Sequence, residues 1–300
     1  MAAAAIQARG IHKHYGLTRA LDGIDIDIER GQVCAMLGQN GAGKTTFIHS
    51  VLGLTPVDRG ELVVLGHTAG SRAARQRLGV MLQDTDLPDL LTGREHLARF
   101  ASYYDQPLAI DGLIESADLG DFVDKKYKAM SGGQKRRIQF AVALIGQPDV
   151  LFLDEPTTGL DREAREAVWN SVRALVATGT TVILTTHYLE EADALADRIV
   201  LIHAGQIVAD DAADRIRAQV GGSLISCETS LDDAAIQALP AVRSIQRGGR
   251  LVRILTDHAP TCLAALLAAD PGVDDLTVTK PSLSEAVAAL TQTGDKESSS

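Results

Sequence analysis

Long apolar runs are missing from this sequence. None approaches the ~18 to 20 residues needed to span a bilayer, and the longest candidates, "VILTT" and "RIVLIHAG", are strand-sized. The chain is therefore not expected to cross a membrane by itself. The opening "MAAAAIQARG" has no basic segment followed by an apolar core of ~7 to 15 residues, which argues against a secretory signal. Cysteine is scarce: Cys34, Cys227 and Cys262 lie far apart without CxxC spacing. That excludes a disulfide or zinc framework and fits a reducing, cytoplasmic setting. An excess of positive charge is missing too. The formal net charge is −10, which argues against nucleic acid as a partner, and "SGGQKRR" at 131–137 is the one notable basic cluster. No internal repeat occurs. The remaining composition, 45% apolar with a mean hydropathy of +0.04, is that of a globular protein long enough for one large or two smaller domains.

What is present alternates strands and helices over residues 1–217. "LDGIDIDIERG" alternates apolar and polar residues and predicts a half-buried antiparallel strand. "QVCAML", "DVLFLD", "TVILTT" and "RIVLIH" are short, apolar and rich in β-branched residues, as buried strands of a parallel sheet are. Helices separate them, such as one over Arg162 to Ala177 with Ala164, Ala167, Val168, Val172 and Leu175 on one face. This is an α/β pattern. Between "VMLQD" and "MSGGQ" the strands stop, and "LTGREHLARFASYY" and "DGLIESADLG" predict a helical insert over about 84–130.

"AQVGG" at 218–222 reads as a junction. Beyond it, 223–292 shows a β-α-β-β-α-β succession, the order of a small α+β domain, with Gly248–Gly249 as a hairpin turn. A last helix is expected from "PSLSEAVAALT", with Pro281 before it and a Ser282–Glu285 capping box. Residues 293–300 read as a disordered tail.

The chemistry begins at "VCAMLGQNGAGKTTFIH", residues 33–49, an apolar strand running through a glycine-rich loop into a helix. The pattern G-x-x-x-x-G-K-[ST] is complete in Gly38, Gly43, Lys44 and Thr45, with Gly41 inside the loop. Glycines let the backbone curl so that several N–H groups face one anion. The helix beginning near Gly43 adds its positive end. Lys44 brings a full charge to the outer phosphates, and the Thr45 hydroxyl is placed to ligate Mg²⁺. A second feature, "DVLFLDEP" at 149–156, is an apolar strand ending in Asp154 and Glu155. Carboxylates at the C-terminal end of a parallel strand sit where open α/β sheets bind ligands. Asp154 would hold Mg²⁺ and Glu155 would polarise an attacking water, so hydrolysis is favoured over simple holding.

With "MSGGQKRR" added, the sequence resembles the ATPase subunits of ATP-binding cassette (ABC) transporters. Ser-Gly-Gly-Gln lies between the phosphate loop and "LFLDEP", the order and approximate spacing of that family. The resemblance implies a P-loop NTPase core with an antiparallel β subdomain and a helical insert, and it implies ATP bound with Mg²⁺. The loop residues Gly38, Gln39, Asn40, Gly41, Ala42, Gly43, Lys44, Thr45 and Thr46 would hold the phosphates, and Tyr15 would stack on adenine. Gln83 would touch Mg²⁺ and the water, beside Thr45 and Asp154 as metal ligands. Ser131, Gly132, Gly133 and Gln134 would reach the γ-phosphate of an ATP held by a second subunit, and Asp161 would contact that subunit's loop. His187 would reach the γ-phosphate and orient Glu155, which with Lys44 makes the catalytic set.

The resemblance extends more weakly to the C-terminus and is closest to the separately encoded ATPases of type-2 exporters. It implies a second ATPase subunit, expected as a homodimer, and a separate multi-spanning membrane permease. The location implied is peripheral, at the cytoplasmic face of the membrane. Other readings stay open here: a soluble ABC ATPase of translation or DNA repair, an importer ATPase, or a P-loop kinase. Three features read blandly. Met130 replaces a frequent leucine by a swap of similar volume, Cys34 is a small core residue, and Asp210–Asp211 replaces a turn that often contains glycine. His12 and His14, at i and i+2 with no cysteine or acidic partner near them in the chain, read as surface residues.

Overall fold

The computed structural model describes residues 4–83, 86–186, 188–220, 222–280, 283–287 and 290. Residue contacts divide the chain into two compact units, Met1–Ala212 and Ala213–Ser300.

The first unit opens with strands β1 (Ala4–Tyr15), β2 (Thr18–Glu29) and β3 (Val33–Leu37), then helix α1 (Lys44–Val51). β4 (Arg59–Val64), β5 (His67–Thr68), the short α2 (Arg72–Arg75) and β6 (Leu78–Met81) follow. Helices α3 (Gly93–Ala101), α4 (Ile110–Ser116) and α5 (Gly132–Leu144) come next, with no strand between them among the described residues. The unit closes with β7 (Val150–Asp154), α6 (Arg162–Ala177), β8 (Thr181–Thr185), α7 (Leu189–Leu195), β9 (Arg198–His203) and β10 (Gln206–Asp211).

Two sheets organise these elements. β2, β1, β4 and β5 form an antiparallel sheet, and the isoleucines 24, 26 and 28 of β2 bury one face while Asp25 and Glu29 face out. The second sheet runs β10-β9-β3-β8-β7-β6 and is parallel except for the antiparallel edge strand β10. Its central strands β3, β7 and β8 are buried at every residue, which is why they read as continuous apolar runs. Alternation assigns their side chains to opposite faces. Cys34, Met36, Phe152 and Ile183 pack with the antiparallel sheet and α1 in one core. Val33, Leu151, Leu153 and Leu184 pack with the helices, Met130 and Tyr127 in another. Both faces of the sheet are thus closed by apolar packing, and its strand ends are left to carry polar loops.

The second unit holds α8 (Ala213–Val220), β11 (Ser223–Glu228), α9 (Asp233–Gln237), β12 (Val242–Gly248), β13 (Leu251–Thr256), α10 (Ala259–Ala269) and β14 (Asp274–Thr279). Its antiparallel sheet runs β12-β13-β11-β14. Ile225, Cys227, Val252, Ile254, Cys262 and Leu266 form its core. Residues 283–287 are helical, while Pro281 and Ser282, the first residue of the expected capping box, lie outside the described residues, as does the tail 293–300.

Several local expectations shift. Gly248 is the last residue of β12 and pairs with Leu251, so the turn is Gly249–Arg250, with the positive φ of 67° taken by Gly249. Asp210 and Asp211 end a strand rather than forming a turn, and Asp210 takes both arms of the Arg198 guanidinium, at 2.5 and 2.6 Å. Ala167 is exposed on α6, whose buried residues are Val168 and Val172. The histidines do have acidic neighbours, brought in by strand pairing. His12 Nδ1 lies 3.2 Å from Asp22 and His14 Nδ1 lies 3.3 Å from Asp58.

Candidate active site

The phosphate loop leaves the buried end of β3 at Gly38 and enters α1 at Lys44. Glycine is required by geometry at Gly43, where φ is 114° and a Cβ would sit 2.4 Å from the Ala20 carbonyl oxygen. Gly41 has φ of 81° but open space around it, so its glycine serves the turn and leaves room above the loop. The loop is closed by Ala42 N–H donating to Gln39 O at 3.1 Å, and Phe47 N–H donates to Gly43 O at 2.9 Å to start the helix.

A cavity of about 650 Å³ opens over this loop, lined by Asn40 to Thr46, Gln83, Asp154, Glu155 and Thr158. Three loops from three strand ends meet there, as expected at the C-terminal edge of an open parallel sheet. Lys44 Nζ folds back on its own loop, donating to Gly38 O at 2.6 Å and Gln39 O at 3.0 Å. Burial pushes the Lys44 ammonium below its ordinary value, and the charges of Glu155 and Asp154 partly oppose that shift. Asp154, nearly buried at the end of β7, accepts a hydrogen bond from the Thr185 hydroxyl on the neighbouring strand β8.

Glu155 departs from ordinary backbone. It is a non-glycine residue with φ of 49°, in the left-handed region, followed by Pro156. Such conformations cost of order 1–3 kcal/mol and persist where surrounding contacts hold them. Here the Glu155 amide donates to Thr185 O at 3.0 Å. Its carboxylate accepts from Gln83 Nε2 at 3.0 Å and from Thr158 Oγ1 at 3.3 Å. The pairing of Glu155 with Gln83 joins the end of β7 to the end of β6.

The donor set fits a nucleotide phosphate with a hard divalent cation. The Thr45 hydroxyl, the Asp154 carboxylate and the Gln83 amide oxygen are oxygen ligands of the kind magnesium takes. Among the described residues no group of three or more His, Cys, Asp or Glu could hold a metal alone.

Other expected residues are not among those lining the cavity. Tyr15 ends β1, half exposed, with the Lys13 ammonium 5.6 Å from its ring centre. Ser131 is the N-cap of α5 in a reciprocal capping box: Gln134 N–H donates to Ser131 Oγ at 3.2 Å and Ser131 N–H donates to Gln134 Oε1 at 3.1 Å. A Cβ at Gly132 would meet nothing within 4 Å, and one at Gly133 only Leu160 Cδ2 at 3.4 Å. Neither glycine is demanded by the packing of its own chain. Asp161 caps α6 by accepting from Ala164 N–H at 2.8 Å. His187 lies outside the described residues.

Sequence reasoning missed Thr158, which touches Glu155 and lines the cavity, and it missed the use of the basic cluster after Ser131. Arg136 Nη2 donates to Glu155 O at 3.1 Å, and Arg137 donates to Ala117 O at 2.9 Å and to the Asp118 carboxylate at 2.6 Å. Lys135 lies 4.7 Å from the Tyr127 ring centre. The signal for these inward contacts was available only as three consecutive basic residues on a helix that also carries core positions.

Comparison with known proteins points to one family. The family model described as ABC transporter matches residues 21–158. A daunorubicin resistance ATP-binding protein of Streptomyces coeruleorubidus is 40% identical over 306 residues, covering 97% of this chain and 97% of that protein. A Nod factor export ATP-binding protein of Ralstonia nicotianae is 39% identical over 248 residues, covering 80% of this chain and 75% of that one. The solved structure of an ATP-binding subunit of an ABC transporter is 26% identical with a TM-score of 0.66, covering 72% of this chain and 92% of that chain.

Proposed function

The chain belongs to the ATP-binding proteins of ABC transporters, and from that membership we propose that it powers an exporter through a separate membrane permease. It is an ATPase; the proposal concerns how its residues divide the work and what they drive. The observation that carries it is the meeting of Lys44, Gln83, Asp154 and Glu155 around one cavity while the capped N-terminus of α5 stays outside its lining.

Lys44, the loop N–H groups and the start of α1 bind the β- and γ-phosphates. Thr45, Asp154 and Gln83 would hold Mg²⁺, which when bound would neutralise charge on the phosphates. Glu155 accepts the proton of, or polarises, the attacking water, and Gln83 keeps the carboxylate aimed. His187 adds a γ-phosphate contact, and Tyr15 offers a face to adenine. Catalysis then rests on positioning and charge stabilisation, as phosphoryl transfer generally does.

Ser131, Gly132, Gly133 and Gln134 complete the site of a second copy of this chain. The open space over Gly132 supports this reading, because a glycine that nothing in its own chain demands leaves room for another molecule to approach. Asp161 contacts the opposing loop while capping α6. ATP favours the closed homodimer by making contacts the open one lacks, and hydrolysis removes them.

No helix among the described residues is long and apolar enough to cross a membrane. The proposal places the spanning helices in the permease, with this chain bound peripherally at the cytoplasmic face. Export is favoured by the relatives, one acting in drug resistance and one in Nod factor export by their names. Nucleic acid is not a proposed partner. The test is affinity purification of the chain from detergent-solubilised native membranes. A stoichiometric multi-spanning protein is expected; ribosomal or repair proteins in its place would overturn the transporter assignment.

A further inference from the structure

We propose that Arg136 is a positioning residue that ties the N-terminal part of α5 to the catalytic pair Glu155 and Gln83 of the same chain. Its guanidinium is half-buried and reaches three backbone carbonyls on two loops. Nη2 donates to Glu155 O at 3.1 Å, while Nη1 approaches Leu82 O at 3.4 Å and Gln83 O at 3.5 Å. Nη1 is also held by Gln139 Oε1 at 3.1 Å, and Gln139 Nε2 donates to the Tyr127 hydroxyl at 2.8 Å. The fork is thus fixed from behind while it touches the backbone of both residues whose side chains meet at 3.0 Å.

The backbone at Glu155 explains why such a clamp has an effect. With φ of 49° the residue needs both of its peptide groups held. The amide is held by Thr185 O, and the carbonyl accepts from Thr158 N–H at 3.3 Å and from Arg136. Without the Arg136 bond the carbonyl keeps only the longer bond from Thr158 N–H at 3.3 Å, so the peptide is held less tightly and the carboxylate is less sharply aimed. A planar guanidinium serves two loops at once, and an ammonium serves only one of them well.

The position of Arg136 in the chain gives the clamp a direction. It lies on the helix that Ser131 caps. Under the proposed function, on which this inference rests, that helix end binds the nucleotide of the second copy. A shift of α5 on that nucleotide reaches Glu155 and Gln83 in the helix's own chain, so the clamp acts in cis although the helix terminus acts in trans.

A mixed dimer of two differently tagged full-length copies tests this. One copy carries Glu155→Gln, leaving a single working carboxylate. Arg136→Gln on the copy with intact Glu155 is expected to lower kcat about 10- to 100-fold. KM and the Kd for ATP should stay within about twofold, since the loss belongs to the transition state. The same substitution on the Glu155→Gln copy should leave kcat within about threefold. Arg136→Lys in cis recovers part of the rate by keeping one carbonyl contact. Loss that follows the trans copy overturns the proposal, as does an unchanged kcat in cis. Loss matched by an equal weakening of ATP binding in both variants also overturns it, because that is the signature of a collapsed fold. The dimer with Arg136 intact is the control for the underlying function. If it is silent while the wild-type chain hydrolyses ATP as a monomer, the dimeric reading fails. The cis effect is then read from kcat against Kd on the single chain.

Discussion

Glu155 concentrates the chemistry of this molecule at one residue. Its left-handed backbone, its bond to Gln83 and its place beside Asp154 and Lys44 are the observations on which the proposed function assigns it the attacking water. Glu155→Gln keeps the shape and the Thr158 and Gln83 neighbours but removes the base. ATP affinity is therefore expected to survive while kcat falls about 10²- to 10⁴-fold, read by nucleotide titration beside steady-state hydrolysis. Lys44, Asp154 and Glu155 were legible in the sequence because each stands in a short motif whose spacing reports a strand end. Arg136 was not, because its partners are backbone carbonyls and no side-chain pattern marks a carbonyl. The acidic neighbours of His12 and His14, which stay partly exposed, were missed for a related reason. Asp22 and Asp58 reach them only through strand pairing and a turn that local reading does not pair up.

At the scale of elements, α5 carries two jobs with different sequence signatures. The capping box of Ser131 and Gln134 starts the helix, and Ile138 and Phe140 bury it in the second core. Gly132 serves neither job. Gly132→Ala is expected to fold normally, with Tm within a few degrees of wild type, since a Cβ there meets nothing. Its ATPase rate should nonetheless fall at least several-fold, because under the proposed function the added methyl sits where the second copy's nucleotide approaches. Differential scanning calorimetry and a hydrolysis assay on one preparation check both halves.

The second unit yields a stability prediction of its own. The Asp270 carboxylate accepts from the Thr229 hydroxyl at 2.6 Å, from Ser230 N–H at 2.8 Å and from Gly272 N–H at 3.0 Å, which hold it down to about 2. Its folded value lies below the ordinary ~3.9 of an unfolded aspartate. The stabilisation is therefore complete above about pH 4 and is lost as the pH falls toward 2. Asp270→Asn should lower the midpoint of thermal unfolding at pH 7, and the gap from wild type should close between about pH 4 and 2. Circular dichroism melts across that range decide it. The succession of elements around this residue was readable from alternation and turn residues. The register of the β12–β13 hairpin was not, because Gly248 and Gly249 both suit a turn and only pairing with Leu251 assigns the first to the strand.

For the whole molecule, the fold was readable to the extent that burial dictates sequence. β3, β7 and β8 are apolar throughout because both faces are covered, and the alternation in β2 reports a sheet covered on one side. What a single chain does not encode locally is which of its surfaces finish a site elsewhere. Ser131 to Gln134 lie outside the cavity of their own chain, and the account completes that cavity with a second copy. The most direct measurement is the mass of the Glu155→Gln chain by light scattering, with and without ATP and Mg²⁺. The account predicts the mass of one chain without nucleotide and of two with it, reverting when Gly132→Ala is added. A mass of one chain under saturating ATP, in a preparation that binds the nucleotide, would contradict it.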